Sequence, residues 1–123
     1  MAVNYTATTL SAATNGRLIK ITATATPGTT IHTATSFDAP EGVDEVWLNA
    51  GSTSGSPING TIHINSANDS ESINFRVPAA YNGPIMVLGG HRVCDGVVIT
   101  ATASVTERIA IWGNVNRISG QGT

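Results

Sequence analysis

The feature that most constrains this chain is a period of two in its apolar residues, broken at short intervals by Gly, Pro, Asn and Asp. Strand side chains alternate between faces, so this pattern calls for half-buried strands joined by turns, while helical periodicity is nearly absent. Over Leu18 to Thr26, Ile19, Ile21, Ala23 and Ala25 share one face and Lys20, Thr22 and Thr24 the other. Pro27-Gly28 then reads as a turn. Thr30 to Phe37 sets Ile31, Thr33, Thr35 and Phe37 opposite His32, Ala34 and Ser36. Asp38 to Asp44 reads as a loop, and in Glu45 to Ala50 the residues Val46, Leu48 and Ala50 alternate with Glu45, Trp47 and Asn49. Asn59-Gly60 has the chemistry of a tight turn closing a Gly51 to Asn59 loop.

Further strands are expected over Thr61 to Asn65, around Ile73, Phe75 and Val77, and over Ile85 to Leu88, which Gly89-Gly90 would end. The last two are expected around Val97 to Val105 and over Arg108 to Ile118, where Ile109, Ile111, Gly113 and Val115 align. About eight antiparallel strands in one domain fit an all-β sandwich of jelly-roll type, with an immunoglobulin-like sandwich as the alternative. A single cysteine, Cys94, cannot supply the Cys, Trp, Cys pattern usual in immunoglobulin domains, which favours the jelly roll. Residues 1–15, with Val3, Tyr5 and Leu10 as sizeable apolar groups, read as an N-terminal arm or edge strand. Residues 16–118 form the sandwich domain and 119–123 a short tail.

Charged residues make up 11% of the 123, against roughly 25% in an ordinary soluble domain, so Thr, Ser and Asn must build much of the surface. No apolar run reaches the roughly 18 residues of a membrane span. Six scattered Lys and Arg leave no basic footprint for nucleic acid, so neither a membrane nor a nucleic acid is expected as a partner. The start, Met1-Ala2-Val3-Asn4, has no secretory pattern, and an intracellular origin is expected.

No catalytic constellation emerges. His32, His63, His91 and Cys94 are chemically suited to zinc, but they lack paired ligand spacing and read as solvent-facing imidazoles and a half-buried thiol. Asp38, Glu41, Asp44 and Glu45 are dense enough in hard oxygen to hold calcium, yet show no EF-hand pattern and read as a solvated acidic loop. Ser, His and Asp are present without a Gly-x-Ser-x-Gly elbow, and the glycine pairs are followed by no phosphate-loop Lys. No cofactor, no metal and no enzymatic activity are expected. The informative anomaly is that Trp47 and Trp112 fall out of phase with their strands' inward residues. A large aromatic on an outer face is either capped by its own chain or buried by another.

The run from Gly96-Val97-Val98-Ile99-Thr100-Ala101 through Ile109-Ala110-Ile111-Trp112-Gly113-Asn114-Val115-Asn116-Arg117-Ile118 resembles small virion proteins of tailed bacteriophages, as do Leu18-Ile19-Lys20-Ile21 and Glu45-Val46-Trp47-Leu48-Asn49-Ala50. This resemblance of pattern covers most of the chain and carries no catalytic signature. It implies a capsid decoration (cement) protein of β-sandwich type. Such a protein sits on the virion's capsid surface as a homotrimer, is made in the host cytoplasm, and has the major capsid protein as its partner. Trp47, Trp112, Val3, Tyr5 and Leu10 are the candidate subunit or capsid contacts. The alternative is a carbohydrate-binding or tail-associated receptor-binding module, since jelly rolls also serve as lectins.

Overall fold

The computed structural model describes residues 4–25, 28–34, 42–64, 72–80 and 83–119. The expected Pro27 turn, Asp38 and Glu41 of the acidic loop, Val3 and most of the tail lie outside these residues.

Nine strands are present among the described residues: β1 (Asn4–Thr8), β2 (Ile19–Lys20), β3 (Thr29–Thr33), β4 (Gly42–Ser52), β5 (Ile58–Ile64), β6 (Ser72–Val77), β7 (Ile85–Val93), β8 (Val98–Ala103) and β9 (Ile109–Ser119). They form two antiparallel sheets. Sheet A runs β1-β9-β4-β7, with β2 on the same side of β9 as β1, and sheet B runs β3-β8-β5-β6. The pairings are nested: β5 with β6, β4 with β7, β3 with β8, and β2 with β9. The chain thus folds back as one deep hairpin, which then rolls until β4 meets β9 and β5 meets β8. This is the jelly-roll sandwich. The immunoglobulin-like alternative fails, because among the described strands only β5 and β6 are neighbours both in sequence and in a sheet.

The core lies between the sheets. Val46, Leu48, Ala50, Ile111 and Val115 of sheet A pack towards Ile31, Ile62, Ile99 and Ala101 of sheet B. These are the inward positions of the alternation, so burial of a periodic apolar face explains both the strands and their facing. Val46 opposes Val115 and Ala50 opposes Ile111, with Gly113 opposite Leu48 between them. A Cβ at Gly113 would run into the Trp47 carbonyl, so β4 and β9 require glycine there.

Several local expectations are corrected. Over residues 21–25 the chain passes from one sheet to the other and does not continue β2 as a long strand. Ile21 bonds to Ile109, and the Ala23 carbonyl accepts from Ala103 of β8. Asn59 and Gly60 form no turn; they lie inside β5, where Gly60 faces Phe75 and its missing side chain makes room for that ring. Gly89-Gly90 does not end β7. The strand continues to Val93 by taking up a bulge at Gly90 (φ +87°), a conformation glycine adopts without strain, and its register shifts again between the partners of Leu48 and Asn49. The expected loop to Asp44 stops earlier, because β4 begins at Gly42.

Candidate functional site

The outer face of sheet A carries the large aromatics. Trp47 and Trp112 are both half-buried, and each lies over a glycine of a neighbouring strand. A Cβ at Gly90 would sit 3.1 Å from the Trp47 ring, and one at Gly51 would sit 3.0 Å from the Trp112 ring. Aromatic cover over a strand glycine replaces the packing that glycine cannot provide. Trp47 is also held by its edge, since its indole N–H donates to Glu45 Oε1 at 3.0 Å. That carboxylate accepts from Asn116 at 3.3 Å and from Arg92 at 3.4 Å, its register partners on β9 and β7. The Trp47 hydrogen bond, followed by those of Asn116 and Arg92 and the Arg92 charge, holds the Glu45 carboxyl below its ordinary value.

Of the remaining candidates, Tyr5 is 72% exposed on β1 and Val3 lies outside the described residues. Leu10 is corrected: at 1% exposure it belongs to this chain's own core and offers no surface to a second subunit. Met86, overlooked in the sequence because it sits in a continuous apolar run, is 61% exposed. It opposes Asn49, as does Trp112 from the other side, so it extends the same outer face.

A second cluster lies inside. The register of β3 shifts at Ile31, where an extra residue turns both Ile31 and His32 inward. His32 is therefore buried, not solvent-facing as alternation implied. Its Nε2 lies 2.8 Å from Asp44 Oδ2, and the Ser11 backbone N–H donates to its Nδ1 at 3.0 Å. Asp44 is fully buried at an inward position of β4 and takes Arg117 through Nε at 2.9 Å and Nη2 at 3.2 Å. The hydrogen bond to Asp44 raises the Arg117 guanidinium above its ordinary value. Asp44 and Glu45 thus face opposite sides of sheet A, so these two carboxylates of the expected calcium loop cannot converge on one ion.

Ser11, His32 and Asp44 have the residue types of a hydrolase triad but not its geometry. Histidine meets the serine backbone N–H, while Ser11 Oγ accepts from the Thr33 N–H at 2.6 Å. Among the described residues, no base is positioned to take a proton from that hydroxyl.

On the outer face of sheet B, His63 is also buried, contrary to the expected solvent exposure. Its Nδ1 lies 2.8 Å from Ser72 Oγ, and its Nε2 lies 3.5 Å from Thr102 Oγ1. Hydroxyls on β6 and β8 flank it, a cross-strand environment that alternation along β5 alone does not disclose. Beside it a shallow concavity of about 490 Å³ is lined by Asn59, Thr61, Asn74 and Arg76, with Thr61 bonded to Asn74 at 3.0 Å. The described histidines and Cys94 are not brought together: His32 is in the core, His63 on sheet B, and His91 exposed on β7.

Set against known proteins, the chain matches no protein-family model, no curated protein and no solved structure.

Proposed function

We propose that this chain is a non-enzymatic structural protein of a tailed-phage virion, a decoration protein that binds the outside of the head as a homotrimer and ties neighbouring capsid subunits together. The observation that carries the reading is the outer face of sheet A. There Trp47 is fixed by Gly90 beneath its ring and Glu45 at its N–H, and Met86 stands exposed on the same face. Aromatic side chains already held in place lose little freedom on binding, which suits an anchoring surface. Low charge, a jelly-roll frame and the sequence resemblance support the same reading. Three copies attached at several points would gain avidity beyond that of any single contact.

Mixing the purified protein with expanded, undecorated capsids tests the proposal. Co-sedimentation at micromolar concentration is expected, and its absence overturns the reading. Met86→Lys should weaken attachment while leaving the fold intact, because that side chain is mostly exposed. Light scattering should report three chain masses; a monomer at every concentration rejects the trimer.

The hydroxyl and amide lining of the sheet B concavity favours a second reading, a carbohydrate-binding or tail-associated receptor-binding module. A glycan array showing ligand binding that is lost in Asn74→Ala would replace the first reading with this one.

A further inference from the structure

We infer that His32 is an acid-sensitive latch that holds the segment following β1, Leu10 to Ala13, against the sandwich. The inference rests on donors and acceptors and is independent of the proposed function. A backbone N–H can only donate, so Nδ1 of His32 must accept from Ser11 and the ring proton sits on Nε2, aimed at Asp44. A second proton would occupy Nδ1 and set N–H against N–H across a 3.0 Å gap. The Ser11 amide would then have to leave.

Among the described residues, the segment's other ties lie close to that point, and Ala13 also packs against the core. Thr33 N–H donates to Ser11 Oγ at 2.6 Å, Ala12 N–H donates to the Ile31 carbonyl at 3.3 Å, and Leu10 lies in the core. Among the described residues, the ionisable groups facing the ring are Asp44 from β4, whose charge favours the second proton, and Arg117 from β9, whose charge opposes it. The Leu10 to Ala13 segment and β8, which sets Ile99 beside His32, bring no ionisable side chain. On β7, Val93 lies opposite Asp44, while His91 and Arg92 are exposed.

The closed form binds one proton fewer on His32 than the open form, so closure is favoured at high pH and opposed as pH falls. Acidification should therefore raise the open-to-closed ratio, by up to about tenfold per pH unit for the one proton involved.

The test is amide hydrogen exchange at Ser11, Ala12 and Thr33 between about pH 7.5 and about pH 5, corrected for intrinsic exchange rates, in the wild type and in His32→Gln. Glutamine supplies an acceptor and a donor but does not titrate. The expected result is an opening equilibrium that steepens with acid in the wild type and stays flat in His32→Gln. Equal slopes in the two proteins, or no slope in the wild type, overturn the latch. Should the variant not fold, imidazole ¹⁵N shifts of the wild type decide the matter: a proton on Nε2 at about pH 7.5 is expected, and a proton on Nδ1 overturns the inference.

Discussion

Asp44 and Glu45 are consecutive carboxylates on β4, and each is hydrogen-bonded by several described side chains, yet their surroundings differ in kind. Asp44 is fully buried and held by His32 from sheet B and Arg117 from β9. Glu45 lies on the outer face and accepts from Trp47, Asn116 and Arg92. Removing a partner from a charge in the core strands its counter-charge away from water, whereas at the surface water replaces what is lost. The inward cluster therefore locks the two sheets together, and the outward one arranges a surface. One step along a strand separates an architectural role from a presenting role.

The sharpest way to break this contrast is Asp44→Ala, which leaves His32 Nε2–H and the Arg117 guanidinium without their acceptor. Arg117 keeps 40% of its side chain exposed and can rehydrate, so the loss should fall near the lower end of about 3–5 kcal/mol, read by urea unfolding. Gly113→Ala comes next, at about 1–3 kcal/mol, because its Cβ meets the Trp47 backbone, which cannot swing aside as a side chain would. Gly90→Ala should cost about 1–2 kcal/mol, since it is strained at φ +87° and also presses on the indole; a shift in tryptophan emission should accompany the lowered stability.

The smallest effect belongs to Glu45. With its folded-state value depressed, it contributes stability above its unfolded value near 4.5, and that contribution is lost as pH falls through the lower folded value. The Trp47 indole N–H resonance should move over this acidic range in the wild type and be insensitive to it in Glu45→Gln. A Glu45→Gln loss as large as that of Asp44→Ala would dissolve the distinction between the two faces.

Much of the architecture was legible because burial enforces a period of two. The phases of Val46, Leu48 and Ala50, and of Ile109, Ile111 and Val115, point to the core, and Trp47 and Trp112 fall on the outer face by the same rule. What escaped was set across strands or by one inserted residue. The bulge at Ile31 breaks the phase at the position that matters, so His32 read as exposed. Asp44 read as loop because it follows Pro40 and Gly42 and because a carboxylate at an inward position contradicts hydrophobic patterning until Arg117 is set opposite it. The glycines beneath the tryptophans read as breakers and linkers, since nothing within β7 or β4 alone says that an indole will cover them. Leu10, isolated among Ala and Thr, had no periodic neighbours to reveal its burial.

The position of β9 between β4 and the first two strands has a temporal consequence. Until residues 109–119 have left the ribosome, sheet A has no centre, and β1, β2 and one edge of β4 wait with unpaired backbone. Folding of this chain is therefore a late, long-range closure and not a build-up from its start, and such closures are slow. While it waits, the nascent chain carries an open strand edge of the kind that invites association, so its yield in the cell should depend on how quickly β9 is made.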